Sequence, residues 1–354
     1  MRRALATVLL AAGLAAPAFA QQKLVFGLVS SIAVAHAPLY MAKELGYWAE
    51  EKLDVEVVVF QGGTAVLLPQ LVNGRVHVGF PNPDPLIISR QPGKDPLPLA
   101  FYFNLIRENV WEFAVLADHP AKTLADLKGR KLGVGALTFG NIPLTRAMFK
   151  ELGVEVGRDL ELVPTGLGAP AFLALRERRV DALNLFDTLH ETLEVQGTPI
   201  RRLKMPPKYL DLFSNGLVAH ADALKSKPGP LAAFGRIWAK GIVACNVNRP
   251  ACVKAFWKHN PSTKPPGDEA KLLADNVRIL AARFDKYLAF PKGDLPRWGS
   301  FPKGSWENMA QAMLDGGQIQ TKDIDVSALY TNALVPAMNN FDPAEVIKAA
   351  QQLK

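Results

Sequence analysis

The chain has 354 residues, of which 49% are hydrophobic and 21% charged, and its formal net charge is +8. These values are ordinary for a globular protein of about two domains. Because charges of both signs are interleaved and no basic cluster or reading motif occurs, the composition argues against nucleic-acid binding.

The first twenty residues have the pattern of a secretory signal peptide. Arg2 and Arg3 precede an apolar run, and Ala18 and Ala20 are the small residues that a signal peptidase requires. We predict cleavage after Ala20 and a soluble mature protein in a bacterial periplasm. No cysteine directly follows that position, which argues against a lipoprotein, and no later run is long and apolar enough to span a membrane.

Two stretches then repeat one order of elements. The first predicts strands at 24–29, 55–60 and 76–80, with helices at 38–48 and 64–72 between them. The second predicts strands at 132–137, 160–163 and 180–186, with helices at 143–153 and 171–178. Nearly continuous apolar strands that alternate with helices are typical of a parallel sheet covered on both faces. The turns after such strands meet at one edge of the sheet, so two facing edges would form a cleft.

Two segments are predicted to cross between the repeats. The apolar strand WEFAVLA (111–117) leaves the first copy, and the strand that contains Leu217 and Val218 returns to it. Paired crossings form a hinge that permits closure around a ligand. We therefore predict one discontinuous lobe of residues 21–112 and 217–354, and a second lobe of residues 113–216.

The remainder, from Gly229 onward, is predicted to be almost wholly helical. Trp238, Phe256 and Trp257 have the spacing of core packing. Cys245 and Cys252 are seven residues apart, and two interpretations stay open for them: a disulfide across a turn, or two small buried residues on one helical face.

Several stretches together resemble the nitrate/sulfonate/taurine group of ABC-transporter solute-binding proteins, whose close relatives bind pyrimidine precursors of thiamine. They are AHAPLYMAKELGYW, LVNGRVHVGF, ADLKGRKLGVGAL and ADALKSKPGPLAAFGRIWAKG. The resemblance implies an α/β, two-lobed fold of periplasmic-binding-protein type II (Venus-flytrap), each lobe a mostly parallel sheet flanked by helices. It also implies a monomer without catalytic residues, cofactor or metal, which delivers one small solute to a membrane permease powered by an ATPase. One departure is His77, where the family usually has Asp, as the second copy has at Asp181; we interpret the change as structural.

The candidate ligand-binding residues are those that the repeats place after their strands. They are Ser30, Ser31, His36, Gly62, Gly63, Thr64, Asn82 and Asp84 in the first copy, and Thr138, Phe139, Asn141, Gly166, Phe186 and Asp187 in the second. Hydroxyls, amides and glycine N–H groups can satisfy a polar ligand away from water, and phenylalanine rings supply flat apolar walls. Asp84 and Asp187 would bind amino or ring N–H groups and repel an anion.

Simpler roles stay open for some of these residues. Ser31 and Thr64 suit helix caps, and glycines suit tight turns. His36 suits a hydrogen bond or plain packing better than a metal site, because the six histidines lack ligand spacing. Arg107 fits either a counter-charge for a carboxylate or sulfonate ligand or a solvated hinge residue.

The predicted function is that of a periplasmic binding protein for a small polar or aromatic organic solute, such as a sulfonate, a carboxylate or a pyrimidine-like molecule. An enzyme resembling a yeast-type pyrimidine synthase is the alternative, although the cysteine-rich motif of that family is absent. A third possibility is an extracytoplasmic sensor.

Overall fold

A computed structural model describes residues 21–291 and 297–353; the predicted signal peptide lies outside these residues. The described residues contain ten strands: β1 (Gln22–Leu28), β2 (Leu53–Val59), β3 (Val78–Gly79), β4 (Leu99–Phe103), β5 (Trp111–Leu116), β6 (Arg130–Val134), β7 (Leu160–Pro164), β8 (Ala182–Phe186), β9 (Ile200–Leu203) and β10 (Leu217–His220).

The same residues form fifteen α-helices and four short 3-10 turns. The helices are α1 (Ala37–Glu44), α2 (Tyr47–Glu50), α3 (Thr64–Val72), α4 (Asp84–Ile88), α5 (Ile142–Glu151), α6 (Ala169–Arg176), α7 (Asp187–Val195), α8 (Pro207–Leu210), α9 (Ala221–Ser226), α10 (Pro228–Val247), α11 (Arg249–His259), α12 (Glu269–Tyr287), α13 (Ser305–Asp315), α14 (Val335–Met338) and α15 (Pro343–Gln352). The 3-10 turns are Val34–His36, Ala125–Leu127, Pro261–Thr263 and Val326–Ala328.

The strands form two five-stranded sheets of identical topology, and each sheet is the base of one lobe. The first has the order β2-β1-β3-β10-β4 and the second β7-β6-β8-β5-β9. In each sheet four strands run in one direction, and the fourth strand in the order, β10 or β5, runs antiparallel to both neighbours. That strand reaches its sheet from the other lobe, so each lobe is completed by a crossing segment.

The repeated elements lie where the sequence pattern predicts them, with differences at their ends. The predicted strand 76–80 is paired only at Val78–Gly79, and the predicted helix 38–48 divides into α1 and α2. The division occurs at Gly46, whose φ of 81° is left-handed and interrupts helical geometry.

The C-terminal helices cover the first sheet and reach the second lobe. Trp238, Phe256 and Trp257 are buried, which confirms the predicted core packing. Cys245 of α10 and Cys252 of α11 are joined by a disulfide. Helix α12 packs on both α11 and α7, and α13 packs on α5, so the C-terminal segment contacts both lobes.

Candidate functional site

A cavity lies between the two sheets, at the loops that follow their parallel strands. It contains about 540 Å³ of empty space, a figure that includes solvent at its opening. Seven of the fourteen predicted site residues line it: Ser30, His36, Gly63, Thr64, Asn82, Phe139 and Phe186. The other lining residues are Val29, Ala33, Ala35, Phe80, Val110, Trp111, Gly140, Asn215 and Arg283.

Polar groups of the first lobe and of the crossing segment before β10 form one side of the cavity. Thr64 is the first residue of α3. The N-cap of this helix is Gly63, and no side-chain hydrogen bond caps it. The Thr64 Oγ1 instead accepts a hydrogen bond from the Asn82 backbone N–H at 3.4 Å. Asn215, which precedes β10, donates to the Phe80 carbonyl at 3.1 Å and to Asn82 Oδ1 at 3.4 Å. The side is therefore built from hydroxyl and amide groups.

Aromatic rings of the second lobe form the opposite side. Trp111 begins β5, and its ring lies 6.0 Å from the Phe139 ring and 5.7 Å from the Phe186 ring, both in edge-to-face geometry. Trp111 is buried, and its Nε1 has no hydrogen-bond partner among the described residues. A buried indole N–H normally has an acceptor. The wall therefore presents flat apolar surface, and one of the side chains that form it carries a buried N–H without a partner.

His36 is a neutral member of the lining. It is 6% exposed, its ring packs edge-on against Phe80 at 6.2 Å, and its Nδ1 lies 3.1 Å from both the N and the O of Ala33. Burial, with a smaller contribution from the Arg283 charge, lowers the pKa of His36 to about 4. The imidazole is thus uncharged at neutral pH.

Arg283 of α12 brings the one permanent charge into the described lining. Its Nε lies 2.9 Å from Asp187 Oδ2 and its Nη2 lies 2.5 Å from Asp187 Oδ1, and the two side chains are 4% and 2% exposed. Burial opposes the charged form, but the Asp187 carboxylate outweighs it, so the pKa of Arg283 is raised. Asp187 contacts Arg283 and the Thr188 N–H, and it does not line the cavity.

Sequence reasoning missed Arg283 because it lies outside both repeats. A signal was present, since Ile279, Leu280, Phe284 and Tyr287 form the buried stripe of α12 and Arg283 lies within it. A charged residue in an apolar stripe needs a buried partner.

Other predicted site residues form hydrogen bonds around the cavity, and two of these bonds join the lobes. Thr138 Oγ1 donates to the Gly62 carbonyl at 2.6 Å, and the Leu144 N–H donates to Asp84 Oδ1 at 3.2 Å. Burial raises the pKa of Asp84 to about 7. Ser31 is exposed and accepts from Gln61 Nε2 at 3.3 Å. These residues lie around the cavity and do not line it.

Asn141 and Gly166 complete the set of predicted residues outside the lining. The Asn141 amide nitrogen donates to Asn184 Oδ1 at 3.1 Å, and Thr145 Oγ1 donates to the same oxygen at 3.0 Å. Gly166 has a φ of +76° and serves a turn that the structure places away from the cavity.

Arg107 lies in the segment between β4 and β5 and does not line the cavity. Its Nε donates to the Ala289 carbonyl at 3.2 Å and its Nη1 to the Ser300 carbonyl at 3.1 Å, while its guanidinium lies 4.2 Å from the centre of the Phe290 ring. Burial lowers its pKa to about 10. Its contacts are those of a buried residue that holds the crossing segment, and the interpretation as a solvated hinge residue is wrong.

The hydrogen bonds confirm the structural interpretation of His77. His77 Nδ1 accepts from the Val25 N–H of β1 at 2.9 Å, and Asp181 Oδ2 accepts from the Lys131 N–H of β6 at 2.9 Å. The two residues therefore satisfy the same backbone position of the two sheets.

No cluster of three or more potential metal-ligating side chains occurs in residues 21–291 and 297–353. Within those residues no helix has both the length and the apolar character needed to cross a membrane.

A family model described as NMT1/THI5 like matches residues 33–251. A protein of Haemophilus influenzae named as a putative thiamine biosynthesis protein is 28% identical over 152 residues, which are 42% of this chain and 45% of that protein. The chain thus matches less than half the length of this relative.

Two solved structures are similar over nearly the whole chain. One is a protein of Bordetella bronchiseptica RB50, with a TM-score of 0.69 and 20% identity over 90% of this chain and 96% of that one. The other is the alkanesulfonate-binding protein SsuA from Xanthomonas axonopodis pv. citri bound to MOPS, with a TM-score of 0.64 and 16% identity over 87% of this chain and 98% of that one. These likenesses concern the fold, and they confirm the predicted two-lobed architecture of periplasmic binding proteins.

Proposed function

The chain belongs to the NMT1/THI5-like family, as the predicted resemblance indicated, and from this premise we propose that it is the solute-binding component of an ABC importer. In this proposal the protein works in the periplasm as a monomer, with residues 1–20 as a cleaved signal peptide. It holds one small polar or aromatic organic molecule between the lobes and delivers it to a membrane permease and its ATPase.

The observation that carries the proposal is the cavity that both lobes line. Asn82 of the first lobe and Trp111 and Phe186 of the second all line it. Two polypeptide segments connect the sheets, between β4 and β5 and between β9 and β10. Such paired connections permit hinge closure. The sequence predicts a first lobe of residues 21–112 and 217–354 and a second lobe of residues 113–216. Because Trp111 and Glu112 pair with β8 of the second sheet, we propose that the second lobe begins at Trp111.

The chemistry of the lining supports binding without catalysis. Its described residues include no cysteine and no lysine, and its single histidine is held neutral by burial. Cys245 and Cys252 are bonded to each other in α10 and α11. An enzyme of thiamine-precursor synthesis is the second candidate, because the matched relative is named as a putative thiamine biosynthesis protein.

Native mass spectrometry of freshly purified protein tests this proposal, followed by calorimetric titration of the molecule found. We expect a single non-covalent adduct that dissociates unchanged and rebinds with 1:1 stoichiometry. Phe186→Ala should weaken binding at least tenfold, while Leu173→Ala, on the exposed face of α6, should leave it unchanged. Recovery of a chemically converted molecule would instead support the enzyme.

A further inference from the structure

We infer that the cavity selects an uncharged, planar aromatic or heteroaromatic molecule that carries a hydrogen-bond acceptor, and that it discriminates against organic anions. This inference rests on the proposed function and names the class of solute for the same cavity.

The cation of the cavity is already neutralised by the protein. Of the described lining residues only His36 and Arg283 have titratable side chains. Arg283 makes a two-oxygen contact with Asp187, and both are almost wholly buried. An entering carboxylate or sulfonate would lose its hydration and would find a guanidinium whose charge is balanced. A buried charge without a counter-charge is unfavourable, so this arrangement disfavours anions.

Two backbone donors at the N-terminus of α5 are likewise occupied. A helix N-terminus attracts anions through its free N–H groups. In α5 the Ile142 N–H donates to the Phe139 carbonyl and the Leu144 N–H donates to the Asp84 carboxyl group, while Pro143 has no N–H. The N–H groups of Ile142 and Leu144, which follow the lining residues Phe139 and Gly140, are therefore not free for a ligand anion.

The remaining lining groups suit an uncharged ring. Trp111, Phe139 and Phe186 offer ring faces and edges in the second lobe, and Phe80 offers another in the first. The Trp111 indole N–H is a buried donor without a partner. The amide groups of Asn82 and Asn215 and the hydroxyl of Thr64 are uncharged. A carbonyl, sulfonyl or ring-nitrogen acceptor on the ligand would satisfy the indole N–H.

The test uses pairs of probes that differ in charge and hardly in shape. Benzenesulfonamide and benzenesulfonate form one pair, and nicotinamide and nicotinate form the other; each is titrated calorimetrically at pH 7 into the full mature protein. We expect the uncharged member of each pair to bind at least tenfold more tightly. Tighter binding of the anions would overturn the inference and leave the proposed function intact. Failure of all four probes, with no adduct in native mass spectrometry, would count against both.

A charge-balance variant identifies the cause of the preference. Asp187→Asn leaves the Arg283 charge unbalanced, so affinity for benzenesulfonate should rise at least tenfold relative to benzenesulfonamide. Arg278→Gln is the matched control, because it breaks the ion pair with Glu191 between the same two helices, α12 and α7, at a more exposed side chain; the preference should not change. An unchanged preference in a folded Asp187→Asn protein would contradict the argument.

Trp111→Phe provides an independent variant that retains the ring and all charges. Removal of the indole N–H should weaken both uncharged probes at least threefold, since it deletes the proposed donor. Equal affinities of wild type and variant would show that the indole N–H does not bind the acceptor of the ligand.

Discussion

The two lobes share one topology, and they use it differently at the ligand-binding edge. Just before β3 and β8, His77 and Asp181 accept from equivalent backbone N–H groups although one is an imidazole and the other a carboxylate. The helices α3 and α6 both begin after a glycine of positive φ, Gly63 and Gly168. The repeat therefore preserves backbone requirements even where the side chain changes.

The two corresponding glycines, Gly63 and Gly168, have different surroundings. A Cβ added to Gly63 would lie 2.3 Å from Phe139 Cδ1, whereas nothing lies within 4 Å of a Cβ at Gly168. The loop after β2 thus packs across the lobe boundary, while the loop after β7 stays outside it. The repeat positions the site, but segments outside it, above all α12 with Arg283, complete the cavity.

The largest expected effect concerns the buried pair of Arg283 and Asp187, of which Arg283 lies outside the repeat. Arg283→Met leaves the Asp187 carboxylate buried without a counter-charge, so the free energy of unfolding should fall by about 3–5 kcal/mol. Urea unfolding measures this, and Arg283→Met/Asp187→Leu should recover most of the loss. Arg278→Met, whose pair with Glu191 is half exposed, should cost less than about 1 kcal/mol; an equal loss in both single variants would refute the special role of the buried pair.

Two buried groups of the first lobe should give opposite pH dependences of stability. The pKa of His36 is lowered to about 4, so its contribution is complete above pH 6.5 and is lost as the pH falls towards 4, by up to roughly 3 kcal/mol. The pKa of Asp84 is raised to about 7, so its contribution is complete below pH 3.8 and is lost as the pH rises towards 7, by up to roughly 4 kcal/mol.

His36→Gln and Asp84→Asn separate the two groups. The free energy of unfolding is measured from pH 4 to 7 for wild type and for each variant, and the value of the variant is subtracted from that of wild type. As the pH rises, the wild type should gain stability relative to His36→Gln. Over the same range it should lose stability relative to Asp84→Asn. Parallel slopes would contradict this assignment.

Gly140→Ala tests the close approach of the lobes. A Cβ there would lie 2.6 Å from Thr64 Oγ1 and 2.7 Å from Asn82 Cβ, so the closed arrangement should be strained while the open lobes fold normally. Ligand affinity measured by calorimetry should fall about tenfold or more, equivalent to about 1.4 kcal/mol. Gly229→Ala, where nothing lies within 4 Å, should bind like wild type. Wild-type affinity in Gly140→Ala would show that closure does not need this contact.

The smallest effect on stability should come from replacing His77 with aspartate, the residue type of the equivalent position Asp181 in the second lobe. His77→Asp keeps an acceptor for the Val25 N–H, so the free energy of unfolding should change by less than about 0.5 kcal/mol. His77→Ala removes the acceptor and should cost about 0.5–1.5 kcal/mol. Chemical denaturation of both variants compares them, and a larger loss in His77→Asp would mean that the lobes differ here as well.

The sequence predicted the parts of this molecule that local patterns determine. The strands, the helices and the loops containing Ser30, Asn82 and Phe139 follow from apolar runs, periodicity and the repeat. The pairing of Arg283 with Asp187 joins residues 96 positions apart, which no local pattern specifies. The sequence predicts Trp111 only as the first residue of a strand. A strand pattern does not indicate which loops of the other elements will surround that residue.

The central claim, that two lobes close around one small molecule, is tested most directly by small-angle X-ray scattering of the mature protein. The measurement compares the free protein with protein saturated by the tightest ligand found in the titrations. Closure predicts a smaller radius of gyration in the saturated sample and a scattering curve that matches the structure described above. An unchanged radius of gyration at confirmed saturation would contradict hinge closure.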